Sequence, residues 1–290
     1  MSTLLDGLSL GAIYALIALG YTMVYGIAKM LNFAHGDIIM VGAYTVCSTL
    51  MLGQSIALKI FAVVISVIVC TVLGMLVERT AYKPLRGASP LAVLITAIGV
   101  SYFLQSIAQL IFGAKSHPVD IGITGSLSLG GLKIPYSTVI TLLVGAVIMI
   151  ALTLFVKNTR TGRAMVAVSE DKGAAQLMGV NVNFIIALTF AIGSALAAFA
   201  SLFYLMQIPS VNPTLGSMPG IKAFTAAVIG GIGSIPGAMI GGVLLGLIEK
   251  ICLAIPAVSA YTTAIEFSFL IIILLVKPTG LLGKKRREKV

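Results

Sequence analysis

Of the 290 residues only 10% are charged, against roughly 25% in soluble globular proteins, while 59% are hydrophobic and the mean hydropathy is +1.10. So few charges cannot coat a water-facing surface, which excludes a soluble domain and defines an all-α, polytopic membrane protein with room for roughly eight or nine spans of ~20 residues. The net charge of +10 does not mark a nucleic-acid partner, because thirteen of the nineteen basic residues fall in three stretches, 79–86, 157–172 and 277–289, each following an apolar run.

That distribution is the positive-inside pattern, which expects all three stretches on the cytoplasmic side. The first apolar run covers residues 4–28 and ends at Lys29. Residues 1–6 carry no basic cluster, so the run reads as a span rather than a cleaved signal peptide. A second run, 38–52, is short for a span, and runs 56–77 and 91–112 follow. The connection 114–135 holds alternating Val119, Ile121 and Ile123, then Leu127, Leu129 and Ile134 around Gly125. It predicts a small hairpin or ordered loop on the external side.

After run 137–156, the polar stretch 158–183 predicts two short cytoplasmic helices. Glu170 and Asp171 suit the start of the second and Gly179 its end. Run 184–207, a Pro/Gly-broken region 208–236, and runs 237–255 and 258–276 lead to a basic tail, 277–290. Lys284, Lys285, Arg286 and Arg287 read as a solvated tail, with lipid binding the alternative. An even number of crossings between 158–183 and the tail requires the region 208–236 to add one, as a half-helix. The same count puts the N-terminus outside unless 38–52 is re-entrant. Cys47, Cys70 and Cys252 sit in apolar runs at unrelated spacings and read as packing residues.

Two places break the lipid-facing pattern. Asn32, His35, Gly36 and Asp37 lie together between two apolar runs. Charged groups cost ~2.5–3.5 kcal/mol at membrane depth, and irregular backbone is tolerated there only inside protein or beside a water-filled cavity. Either this is an interfacial turn with Asp37 capping the next helix, or it is a broken helix that lines a pathway. His35 is either a structural residue or a proton relay. The second place is 228–246, where Gly237 and Gly241, and Gly242 and Gly246, are spaced by four for close helix packing. Gly230, Gly231, Gly233 and Pro236 interrupt the helix beside them and are candidates for a pathway or gate. There is no P-loop, metal cluster or nucleophile elbow, so no catalysis, cofactor or metal is expected. The acids Glu249, next to Lys250, and Glu266 do not form a persuasive ion-coupling site.

The runs Gly11-Ala-Ile-Tyr-Ala-Leu-Ile-Ala-Leu-Gly20, Asn32-Phe-Ala-His-Gly-Asp37 and Glu78-Arg-Thr-Ala-Tyr-Lys-Pro-Leu-Arg86 resemble the LivH-type permease of branched-chain amino acid ABC importers. So do 170–181, 222–237 and Pro278-Thr-Gly-Leu-Leu-Gly283, so the resemblance covers essentially the whole chain. It implies a single permease domain over 1–290, multi-pass in the bacterial inner membrane. The implied partners are a homologous permease, two cytoplasmic ATP-binding cassette ATPases and a periplasmic binding protein that delivers small apolar amino acids. On that resemblance Glu170, Asp171, Ala174, Ala175 and Gly179, with Arg163 before them, form the ATPase-coupling segment. Related permeases also resemble carriers of urea and short amides. A half-helix channel is a more distant alternative, because Asn32-Phe-Ala and Asn212-Pro-Thr faintly resemble paired Asn-Pro-Ala signatures. Against it, the run 215–220 after Asn212-Pro-Thr does not read as an apolar half-helix. The scarcity of buried acids disfavours an ion-coupled secondary transporter.

Overall fold

The computed structural model describes residues 2–123, 125–129 and 132–283; the basic run from Lys284 to Arg287 lies outside them. Helix α1, Ser2–Ala28, is the axis of the molecule. Its Gly, Ala and Ser side chains let neighbours approach, and 94% of its most apolar window is buried against α5, α8, α9 and α10 (bounds below). Helix α2, His35–Leu50, has only 16 residues. Helix α3, Ile56–Val77, starts on Ser55, whose hydroxyl accepts from Leu58 N at 3.3 Å. It runs on through a π turn, Glu78–Tyr82, and a 3-10 turn, Lys83–Leu85.

Helix α4, Pro90–Phe112, has Ser89 as N-cap and Pro90 in its first turn, where no amide hydrogen is needed. Helices α3 and α4, and α5, Tyr136–Asn158, bury under a third of their windows and turn aliphatic faces outward, as lipid-facing spans do. Strands β1, His117–Pro118, β2, Ser126–Leu129, and β3, Leu132–Pro135, lie between α4 and α5. The expected hairpin forms as an antiparallel pair with Leu127 opposite Ile134.

The polar stretch folds as two helices, α6, Arg160–Glu170, and α7, Lys172–Leu177. Helix α8, Val182–Gln207, follows. Strand β4, Ser210–Val211, pairs with β1 and leads into α9, Ser217–Gly230. Helix α10, Ile235–Ala254, a turn α11, Pro256–Ser259, and α12, Thr262–Val276, complete the bundle. Among the described residues six helices are long and apolar enough to cross a membrane, and α12 is a shorter apolar helix. Helices α2 and α9, of 16 and 14 residues, are half-length.

Two faces orient the bundle. The start of α1 contacts β3, while Lys172 of α7 donates to Ala28 O at its end at 2.9 Å. Between them, the chain turns back. Lys29 adopts a left-handed conformation (φ 61°), closing α1 and turning residues 30–34 inward. His35 then lies against Gly20 and Tyr21, about 12 Å up the α1 axis from Ala28 at 1.5 Å per residue. Helix α2 therefore begins inside the bundle and runs toward the hairpin face.

Helix α9 mirrors it. The chain descends from β4, starts α9 beside the α2 start, and runs toward the α7 face. The long–half–long order of α1, α2 and α3 recurs in α8, α9 and α10. The run Asn32-x-x-x-Gly36-Asp37 recurs as Asn212-x-x-x-Gly216-Ser217. Opposed half-helices of this kind are the form of an inverted repeat. The half-helix expected within 208–236 forms as α9, and it opens in the 215–220 run, which was not expected to read as one. Pro219 falls in the first turn, where its missing N–H costs nothing, and the small residues serve a close contact rather than a lipid face.

Candidate functional site

The site is built where the two half-helices meet. Gly36 and Gly216 pack backbone to backbone, and a Cβ on either would overlap the other's carbonyl. Two helix N-termini facing each other bring two partial positive charges together. Asp37, in the first turn of α2 and 2% exposed, adds a carboxylate at this meeting. Its Oδ1 accepts from Gln105 Nε2 of α4 at 2.9 Å, and the same nitrogen lies 3.3 Å from Ser217 Oγ and from Ser101 Oγ. One amide thus ties the lipid-facing α4 to the first turns of both half-helices.

Below this junction, buried His35 packs edge-on against Tyr21 with ring centroids 4.8 Å apart. Its ring occupies the space that a side chain at Gly20 would fill. Asn32 Oδ1 accepts from the Tyr82 hydroxyl at 2.8 Å, so the π turn after α3 reaches into the re-entrant segment. Asn212 satisfies its own turn instead, accepting from Thr214 N at 3.1 Å. The paired-Asn geometry of a channel is not formed, and the Gly36–Gly216 contact closes the line between the half-helices.

Of the glycine candidates, Gly230, Gly231, Gly233 and Pro236 form the α9–α10 turn toward the α7 face, away from the junction. They approach it only through Ile232, which shares with Asn32 a cavity of about 10 Å³, room for about one water. The end of α9 is closed by the Pro278–Gly283 run: Leu281 N donates to Ile229 O at 2.8 Å and Leu282 N to Gly230 O at 2.9 Å. The two four-residue stripes go to different partners. Gly242 and Gly246 sit on Ala15 and Gly11 of α1, and Gly237 and Gly241 sit on Gly230 and Ala226 of α9.

At the α7 face, Asp171 caps α7, its Oδ1 accepting from Gly173 N at 2.9 Å and Ala174 N at 3.0 Å. Gly179 takes the left-handed conformation that ends it (φ 83°). Arg163, Glu170, Asp171, Ala174 and Gly179 are exposed, while Ala175 is buried against the bundle. The tip is apolar, with Leu177 90% and Met178 84% exposed. Burial, with the Arg86 charge adding, lowers the pKa of the Lys172 ammonium that holds Ala28 O. Arg86 pairs with the buried Glu78 and donates to Asn183 at the start of α8.

A second buried cluster was missed by sequence reasoning. Lys222 of α9 lies 2.8 Å from Glu249 of α10 and 3.2 Å from Glu266 of α12. Tyr14 of α1 donates its hydroxyl to Glu249 at 2.7 Å. Glu249 therefore turns to Lys222 and not to its neighbour Lys250. The available signals were single ones: a Lys inside the apolar run of α9 and an amide, Gln105, inside that of α4.

A multi-pass helical bundle whose polar groups converge on two helix starts within it has the form of a transport permease. The family described as branched-chain amino acid transport system / permease component matches residues 3–276, and the chain belongs to it. The chain is 44% identical to the high-affinity branched-chain amino acid transport system permease protein BraD of Pseudomonas aeruginosa, covering 100% of this chain and 98% of that protein. LivH of Escherichia coli, described in the same terms, is 41% identical over 100% of this chain and 97% of its own. A probable LivH of Methanocaldococcus jannaschii is 28% identical over 92% of this chain and 88% of its own. Among solved structures, a chain of PsaBC from Streptococcus pneumoniae in complex with Fab shares the fold. Its TM-score is 0.51 at 17% identity, covering 96% of this chain and 93% of that one.

Proposed function

We propose that this chain is the membrane-spanning subunit of an ATP-driven importer for branched-chain and other small apolar amino acids, working by alternating access in the bacterial inner membrane. The basic residues of 79–86 and 157–172 make the α7 face cytoplasmic. The hairpin face is then external and receives a loaded periplasmic binding protein. A homologous permease pairs with this chain, and two cytoplasmic ATPases supply the energy that no motif in it supplies. The full-length likeness to branched-chain amino acid permeases supports the substrate class.

The observation that carries the reading is the α7 tip. Leu177 and Met178 are almost fully exposed at the end of a capped helix, on the face that the basic residues assign to the cytoplasm. Apolar side chains presented this way fit a groove on a soluble partner. A shift of α7 on ATPase closure is passed to Ala28 through Lys172, and to the re-entrant segment through the next residues. Arg86, joined to Asn183 and Glu78, and Tyr82, joined to Asn32, move with the same face.

The test is uptake of L-leucine into proteoliposomes holding the chain, both ATPases, the second permease, the binding protein and ATP. The double variant Leu177→Asp/Met178→Asp is expected to lose tenfold or more of stimulated ATPase activity and uptake, as removal of a hot spot does, at about tenfold per 1.4 kcal/mol. Glu170→Lys and Gly179→Pro are expected to uncouple in the same way while inserting normally. Full coupling in all three would refute the docking assignment, and gradient-driven uptake by this chain alone would refute the importer reading.

A further inference from the structure

Helix α4 is held to the bundle by little apolar packing, since only 22% of its most apolar window is buried. Its polar tie is Gln105. The single Nε2 of that side chain lies 2.9 Å from Asp37 Oδ1 of α2, 3.3 Å from Ser217 Oγ of α9 and 3.3 Å from Ser101 Oγ of α4 itself. A primary amide nitrogen carries two hydrogens, so it donates to two of these three oxygens at a time. The three acceptors are not equivalent. Asp37 offers the shortest contact and a carboxylate, and bonds to an ionised acceptor are roughly twice as strong as neutral ones. Ser101 sits one turn back on the same helix face and goes wherever α4 goes. Ser217 is neutral, more distant and carried by another helix.

The surroundings divide in the same way. Helix α2 is held from α3, where Ser66 Oγ donates to Gly42 O at 3.2 Å and Cys70 Sγ to Ile38 O at 3.5 Å. Toward the hairpin face, Tyr44 of α2 stacks on Phe112 just past the same stretch of α4, with centroids 4.2 Å and planes 13° apart. Helix α9 is held from the other side, by Lys222 to α10 and α12 and by Leu281 N at its end. When α9 withdraws, Gln105 keeps Asp37 and Ser101, and both of its hydrogens stay paired. Withdrawal of α2 would instead strip a buried carboxylate of its donor, which is the costlier loss.

We infer that Gln105 is a positioning residue of the transport cycle, a latch that keeps α4 on α2. The half-helix junction then parts between α2 and α9, at the Gly36–Gly216 contact, with Ser217 released and Asp37 retained. The gap so formed has α9 on one wall and α2 with α4 on the other. The inference rests on the alternating-access reading and adds which helices travel together.

The test uses the full complex in proteoliposomes, with Cys47, Cys70 and Cys252 replaced and two thiols introduced as a pair. Val41→Cys/Ala108→Cys tethers α2 to α4 across the cleft that both residues line. Ser101→Cys/Ser217→Cys tethers α4 to α9, at two positions that lie 3.3 Å from the same nitrogen. Each pair is linked by a short bis-methanethiosulfonate, and L-leucine uptake is read linked and again after reductive release. The α2–α4 tether is expected to leave uptake running, and the α4–α9 tether to stop it until release. Gln105→Leu should lower the L-leucine carried per ATP hydrolysed by about tenfold, the range for a hydrogen bond to a charged group. A purely structural contact would lower uptake and hydrolysis together and leave that ratio alone. Where Gln105→Leu fails to assemble, the tethers decide without it. Uptake stopped by the α2–α4 tether, uptake continuing through the α4–α9 tether, or an unchanged ratio in Gln105→Leu would each overturn the latch, while ATP-dependent uptake by the wild type left the importer reading intact. Absence of ATP-dependent uptake by the wild-type complex would instead remove the reading beneath it.

Discussion

The molecule buries charge in two ways. At the half-helix junction a lone carboxylate, Asp37, is held by neutral donors, through Gln105 Nε2, and by two helix N-termini. Between α9, α10 and α12, one ammonium, Lys222, faces two carboxylates, Glu249 and Glu266, and a Tyr14 hydroxyl adds a donor. The first arrangement uses partial charges that are fixed in the backbone and lets its parts separate without stranding an opposite full charge. The second locks three helices together through its single ammonium, whose removal leaves two carboxylates uncompensated. On the proposed alternating-access reading the junction opens and the clamp does not, and the two are expected to differ in this way.

Four substitutions separate the two arrangements, in falling order of effect. Lys222→Met strands two carboxylates in the bundle, and losing one partner of a buried ion pair costs about 3–5 kcal/mol. It should appear as loss of the monodisperse, folded protein on heating in detergent. The triple variant Lys222→Met/Glu249→Gln/Glu266→Gln should recover most of that loss, and a Lys222→Met protein as stable as wild type would remove the clamp. Gly36→Val forces the two half-helix starts apart at an overpacking cost of about 1–3 kcal/mol. Its melting point should fall less than that of Lys222→Met, while L-leucine uptake by the complex is abolished.

Asp37→Asn keeps the shape and removes the anion at two helix N-termini, a loss of about 1–2 kcal/mol. If its thermal stability fell as far as that of Lys222→Met, the two sites would not differ in kind. Tyr82→Phe leaves Asn32 Oδ1 without its donor at a cost of about 1 kcal/mol. It should change uptake more than melting temperature, and equal scaling of both would make Tyr82 a purely structural contact.

The same contrast decides what could be read from the sequence. Asn32, His35, Gly36 and Asp37 are adjacent in the chain, so their conflict with a lipid environment is visible in one window. The spans are equally visible, because a helix in lipid must satisfy its backbone internally and so shows as an apolar run of fixed length. Lys222, Glu249, Glu266 and Tyr14 come from four helices, and no local pattern brings them together. Gln105 and Tyr44 are ordinary polar residues in apolar runs until α4 is laid beside α2. Crossing parity asked for a half-helix in 208–236, but its start at α9 was obscured for another reason. Its opening run of Gly, Pro and Ser looks like a loop, yet the small residues are what a backbone-to-backbone meeting with Gly36 requires.

In the proposed mechanism the re-entrant segment before α2 belongs to the transport pathway and is moved from the α7 face. Ala34→Cys, in a background with Cys47, Cys70 and Cys252 replaced, places one thiol in that segment. The measurement is its modification by a membrane-impermeant, charged thiol reagent in the assembled complex, with and without nucleotide trapped in the ATPases. Reaction in one state and protection in the other is the predicted result. Protection in every state, in a complex that still takes up L-leucine, would contradict it.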